Sequence, residues 1–500
     1  MRNLNTLILH IKSDDKRPMK KKTSFFCLFK MAMLLMLLSG GAHSYAQSAG
    51  RMNITGREDS IRQKVFAIGL PVMEINTVNR EFPHYYSINA PEGCIGQSIT
   101  GATKVPGRVT VVLGDSLLFD SGDYEEGISG MTLKIRGNTS ARQPKKPYKI
   151  KLQKKADMLR RDNPDLEDKD WLLLTTACML TDVGTYVSRY FDFAWTPSSE
   201  YVNLFLNGEY KGLYLLTESV EREKKSRVNI DRTGFLFEYD PYWWNEEVYV
   251  KSSIETRQMH YTFKYPESDE ITQEQLDYFT QMIGEVEAAV NDGTYPERID
   301  VTSFAQWILA HDLIGNRDWA GTNFYLTKYD DSDTTKVRMS VLWDFDSAMK
   351  NELYWFGGHT YFVYDSLFKS SNRAFVEEYL RLYDEMRPTF FDDVDEWLNQ
   401  QAASPMLDAL EESVHWDAIR WNYERDSVSS TIRQARQWFA ERKTWMAQKT
   451  DSMRLALVPT GIQAAATVAN ENAYYNLLGQ RMSSPSKGFF IRRGRKYVVR

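Results

Sequence analysis

Five hundred residues with 42% hydrophobic and 26% charged side chains make a globular chain, long enough for roughly two to four domains, and exclude a disordered or fibrous protein. The formal charge of -5 is unevenly placed: the first 46 residues carry eight Lys and Arg against two Asp, which leaves the remainder at -11. An acidic body of this kind argues against nonspecific nucleic-acid binding.

Near the start, Lys20, Lys21 and Lys22 precede an apolar stretch over 25–38, followed by small residues and Ser44, Tyr45 and Ala46. That order predicts an export signal cleaved after Ala46, with translation beginning at Met19. The apolar run is shorter than the roughly 20 residues that span a bilayer, and no other segment qualifies, so no transmembrane anchor is expected. The expected location is periplasmic, cell-surface or extracellular. Beyond the signal only Cys94 and Cys178 remain, which allows one disulfide or none. The seven histidines show no metal-ligand spacing, which argues against a structural zinc.

Residues 47–130 read as an N-terminal β region, with alternation from Val72, a strand from Val109 and a hairpin turn at Gly114-Asp115. Gly114-Asp115-Ser116-Leu117 imitates the nucleophile block of an esterase, but no histidine has an aspartate three positions before it, so Ser116 is read as a hairpin residue. The main domain is expected over 131–457. Its strands start at Met131, Pro147, Tyr201 and Lys211, the last two flanking the hairpin signal Asn207-Gly208. A helix is expected across Leu172 to Phe193. Helical spacing then covers Gln273 to Val290 and Thr302 to Leu313, with Asp300 or Thr302 as cap. Short strands at Asn323 to Tyr329 and Val337 to Trp343 precede a long helical region from about Arg373 to Leu457. A linker and a short C-terminal β module are expected over 458–500. The predicted class is α+β, a β-rich N-terminal lobe followed by a mainly helical C-terminal lobe. That is the order of a protein-kinase-like fold, although other α+β arrangements share it.

Two segments between elements carry candidate chemistry. Phosphoryl transfer needs a carboxylate to orient or deprotonate the acceptor hydroxyl, and further oxygen ligands to hold magnesium against the triphosphate. Asp318 suits the first task, and Asn323 lies five positions on, the spacing of a kinase catalytic loop. Asp344-Phe345-Asp346 falls where a metal-binding Asp-Phe-Gly is expected, with Asp346 as an extra ligand. Taken singly, each piece reads as a turn or a cap. Together, in this order, they point to a site. Cations for phosphate are offered by Arg136 and, on the next strand, by Lys149 and Lys151, although such a run is also the mark of a solvated basic loop. No Walker-type or kinase-type glycine loop is present.

Ile135-Arg-Gly-Asn-Thr-Ser, Lys146-Pro-Tyr-Lys-Ile-Lys-Leu, the stretch Leu206 to Glu218 and Leu342-Trp-Asp-Phe-Asp together resemble the spore-coat protein H (CotH) kinase family over about Leu70 to Lys350. The resemblance implies an atypical kinase fold that uses ATP and Mg2+ or Mn2+ to phosphorylate serine (or threonine) in a protein substrate. It assigns Asp318 as the acidic residue of the catalytic loop and Asp344 as a metal ligand. It also places Glu218 at the end of the strand leading to the interlobe hinge, with Asn229 and Glu238 as neighbours of the cleft. Asp182 is the implied acidic partner of the strand lysine, on a helix that departs from the family pattern. The alternative is a pseudokinase, or a surface binding protein without phosphotransfer. The tail resembles short C-terminal modules of secreted Bacteroidetes proteins.

Overall fold

Strict alternation of side chains along the first strands dictates how the N-terminal half closes on itself. The computed structural model describes residues 55–500 apart from 176–177, 192, 255–258, 317–322, 351–364, 369–371, 458–473, 477–480, 483–487, 493–494 and 500. Helix α1 (Thr55–Phe66) leads into β1 (Val72–Thr77), β2 (Tyr86–Asn89), β3 (Gln97–Thr100), β4 (Val105–Leu113), β5 (Ser116–Asp120) and β6 (Met131–Ile135). Then come β7 (Tyr148–Ala156), β8 (Asp168–Leu174), helix α2 (Leu180–Tyr190), β9 (Ser199–Leu206) and β10 (Glu209–Glu218). Seven strands form a closed ring in the order β1-β9-β10-β8-β7-β6-β4, because β4 pairs with both β6 and β1; β5 extends the sheet beside β4. Residues of one parity, among them Ile75, Val111, Leu133, Ile150, Trp171, Leu204 and Tyr214, share a single buried cluster inside this barrel. Outside it, Val65 of α1 packs on Val72, Phe205 and Tyr210.

This ring corrects two expectations. The boundary placed at 130–131 does not exist in the fold, since β1 and β4 complete the same barrel as β6 to β10. Residues 172–174 are strand rather than helix. Trp171 and Leu173 face the barrel interior while Leu172 packs outward with Tyr325, Val341 and Trp343, so both faces are apolar and the strand loses its alternation. The hairpin at Asn207-Gly208 forms as expected, with φ of 53° and 83°.

A second antiparallel sheet contains β11 (Phe235–Asp240), β12 (Tyr249–Val250), β13 (His260–Tyr265), β14 (Tyr325–Lys328) and β15 (Arg338–Met339), in the order β12-β13-β11-β14-β15. Between β13 and β14 lie helices α3 (Gln273–Asp292) and α4 (Val301–Ile314). Thr272 and Gln275 form a reciprocal capping box on α3, and Asp300 caps α4 by accepting from Ser303 N at 3.0 Å. Phe235, Phe237, Tyr261 and Phe263 join Phe279 and Trp307 in the main core, which continues into α5 (Arg373–Met386), α6 (Phe390–Ala402), α7 (Leu407–Trp421) and α8 (Val428–Leu457). The class is therefore α+β, with β14 and β15 of the second sheet following two helices in the chain.

Helix α7 is fastened to the barrel. Lys145 Nζ lies 2.6 Å from Asp417 Oδ1, which also accepts from Leu213 N at 3.1 Å, and both side chains are buried. At the tail, β16 (Tyr474–Tyr475), β17 (Arg481–Met482), β18 (Gly488–Arg492) and β19 (Arg495–Val499) form a four-stranded antiparallel sheet. Among the described residues no helix is long and apolar enough to cross a membrane, and Cys94 and Cys178 are free thiols.

Candidate active site

Between the barrel and the second sheet lies a cleft of about 1110 Å³. Its barrel wall is the β6–β7 connection. Gly137 there has a φ of 86°, and a Cβ in its place would stand 2.5 Å from Ser140 Oγ, so the loop folds tightly back on itself. Lys134, on the outward row of β6, and Arg136, just past its end, line the cleft and form no ion pair among the described residues. Burial, then repulsion from Lys149 and Lys104, holds the Lys134 ammonium below the usual lysine range. Cations without an ion pair in a half-enclosed wall favour an anionic ligand.

The opposite wall is the face of the second sheet turned away from the helices. Positions i and i+2 of β11 put Glu238 and Asp240 there, and Lys264 of β13 approaches Glu238 Oε2 at 3.2 Å. Burial pushes Glu238 up to about 8, with Asp240 adding to the shift and Lys264 opposing it. For Lys264, burial works against the charge, but Glu238, Tyr325, Asp240 and Glu246 outweigh it and raise its pKa. A lysine among several carboxylates keeps its proton; the carboxylates ionise with difficulty.

The floor is the segment after β15. Asp344 adopts a φ of 58°, a region that residues other than glycine seldom occupy. Asn316 Nδ2 donates to the Asp344 carbonyl at 2.8 Å, and Asp346 N donates to Asp344 Oδ1 at 3.3 Å. Asp344 is half-buried, Asp346 exposed and Asn323 buried, and all three line the cleft. From there a smaller cavity of about 70 Å³ runs past Asp344 towards α2, bordered by the hydroxyls of Thr181, Thr185, Ser188 and Thr217.

One end of the cleft is bridged by the β2–β3 hairpin. Ser98 Oγ donates to Asn138 Oδ1 on the barrel wall at 2.5 Å and accepts from Asn245 Nδ2 on the other side at 3.0 Å. Trp244 Nε1 donates to the Ile95 carbonyl at 3.1 Å.

Arg136, Lys149, Asn323, Asp344 and Asp346 thus meet in one cleft. Asp318 lies outside the described residues. Three expected site residues sit elsewhere. Lys151 is outward on β7, 3.9 Å from Asp170, and does not line the cleft. Glu218 is buried at the end of β10, held by Arg161 at 2.8 Å and Arg227 at 3.0 Å. Asp182 accepts from Tyr201 Oη at 2.6 Å and from Met179 N at 3.1 Å, capping α2. The carboxylate that meets Lys149 is Asp170, at 2.6 Å, because β7 and β8 are neighbours in register whereas α2 starts beyond them. Asp170 also belongs to a trio with Asp168 and Glu221 whose ligand oxygens lie within 4.8 Å of one another. Burial, then Asp170, pushes Glu221 up to about 7, and the two lysines already neutralise Asp170. Asn229 is exposed and does not line the cleft.

A family model of CotH kinase proteins matches residues 133–446, well over half of the chain. The chain belongs to the CotH kinase family. No curated protein matches it. CotH membership implies a kinase-like function, and with it ATP and a divalent metal. The donor chemistry fits: Asn323, Asp344 and Asp346 offer the oxygen ligands that Mg2+ or Mn2+ takes, opposite the cations of Lys134 and Arg136. Sequence reading passed over Lys134, Asp240 and Lys264. The alternation in Phe-Leu-Phe-Glu-Tyr-Asp would have put Glu238 and Asp240 on one face, but nothing local marks that face as the one turned to a ligand.

Proposed function

We propose that this CotH protein is an exported, ATP-dependent protein kinase that transfers the γ-phosphate to a serine or threonine hydroxyl. One observation carries the reading: Lys134 and Arg136, without ion-pair partners among the described residues, share a cleft with the oxygen donors Asn323, Asp344 and Asp346. In this reading the barrel and the helical half correspond to the two lobes of a kinase. Lys134 and Arg136 hold phosphate oxygens, and Asn323, Asp344 and Asp346 hold a divalent cation, which supplies neutralisation of the phosphate charge. Asp318 accepts the proton of the acceptor hydroxyl as its oxygen bonds to phosphorus and the bond to the departing ADP oxygen breaks. The signal-like segment up to Ala46 and the C-terminal module, which resembles those of secreted Bacteroidetes proteins, support a location outside the cytoplasm.

The test is metal-dependent phosphate transfer from labelled ATP by purified residues 47–500. Wild type should incorporate phosphate with Mg2+ or Mn2+, and Asp318→Ala and Asp344→Ala should each lose at least about 100-fold. ATP binding without transfer would make the protein a pseudokinase. No binding would overturn the reading.

A further inference from the structure

Gly184 stands in the interior of α2 and is buried. Glycine is among the poorest helix formers, and Gly184 does not need its backbone freedom, since its conformation is helical. What explains it is space. A Cβ at this position would lie 2.4 Å from Cγ, Cδ1 and Cε1 of Phe345, far inside any real contact. Phe345 is 4% exposed and is the middle residue of Asp344-Phe345-Asp346. Its ring is therefore seated in a notch of α2 that only a residue without a side chain provides.

The two aspartates depend on that seating. Asp344 holds its left-handed backbone conformation between two restraints: the buried Asn316 side chain on its carbonyl at 2.8 Å, and the anchored ring one residue later. Strained backbone at a site persists where the surroundings over-determine it. A ring forced out of the notch must carry the peptide on either side with it, and with it the directions of both carboxylates.

We infer that Gly184 is a positioning residue for the metal-binding pair Asp344 and Asp346, acting through the Phe345 ring, with Asn316 as the second restraint. The inference rests on the proposed function, which makes those carboxylates the metal ligands. The Gly184→Ala substitution leaves the helix at least as favourable by propensity and blocks only the notch, so its effect separates ring seating from helix formation.

The experiment measures Mn2+ binding by electron paramagnetic resonance, with thermal unfolding alongside, for wild type, Asp344→Ala, Gly184→Ala, Phe345→Leu and the double variant Gly184→Ala with Phe345→Leu. Wild type should bind and Asp344→Ala should not. Gly184→Ala should weaken Mn2+ binding at least tenfold while still unfolding cooperatively, and in the double variant the smaller leucine side chain should restore most of it. Wild-type affinity in Gly184→Ala would overturn the inference and leave the proposed function standing. So would weakened binding that Phe345→Leu fails to rescue. Absent or Asp344-independent binding in wild type would instead overturn the assignment of the metal ligands.

Discussion

Glu238 shows how burial and charge trade against each other at a single side chain. Its carboxyl is 4% exposed and is pushed up to about 8, from an ordinary value of 4.5, chiefly by burial. Between those two pH values the folded chain retains a proton that the unfolded chain has lost, so stability falls as pH rises through the window. Urea unfolding at pH 5 and pH 8 should show wild type losing up to a few kcal/mol between them, and Glu238→Gln losing clearly less. A buried ion pair works differently. Lys145 and Asp417 are 272 residues apart in the chain, and Gly212 lies so close that a Cβ there would stand 1.9 Å from Asp417 Oδ1, at a φ of 101°. Gly212→Ala should lower stability by about 3 kcal/mol or more, read by chemical denaturation, because it adds a side chain in the left-handed region and pries the carboxylate from the lysine. Neither residue announces itself in the sequence: Lys145 reads as part of a surface basic run, and only the packing of α7 on β10 reveals its partner.

Among the elements, the hairpin between β9 and β10 was the most legible, since Asn-Gly between alternating apolar runs has few other solutions. Asn207 does more than tolerate its φ of 53°. Its Oδ1 accepts from Thr77 N at 2.9 Å and from Thr77 Oγ1 at 3.0 Å, joining the turn to the end of β1. Asn207→Ala should therefore cost about 2 kcal/mol or more by urea unfolding, above the cost of an ordinary turn substitution, because a buried amide donor is left without its acceptor. The end of β8, residues 172–174, reads as helix for the opposite reason. An element apolar on both faces has no period to detect, and whether it becomes strand or helix is decided by neighbours far away in the chain. The candidate site divides along the same line. Asp344 and Asp346, or Asn323, could be read from short motifs; the second-sheet wall with Lys264, and the pairing of Lys149 with Asp170, arise from register between strands.

At the scale of the molecule, the family match begins at residue 133, inside the barrel and after two strands that the ring cannot lack. Removing residues 1–130 strips β1 and β4 and leaves β6 and β9 with open edges, a template for pairing between chains. Residues 131–500 produced alone should run as aggregate on size-exclusion chromatography, while 47–500 should run as a soluble species.

The ring also has an order in time. Val72 to Ile75 pair in parallel with Asn203 to Leu206, about 130 residues further along, and this pairing closes the circle. A chain emerging from the ribosome at roughly 5–20 residues per second exposes β1 several seconds before its partner exists. Through that interval β4, on the other edge of β1, is the nearest strand that can shelter it. In chain order the ring is therefore an open meander until β9 and β10 are both present, β9 to meet β1 and β10 to meet β8.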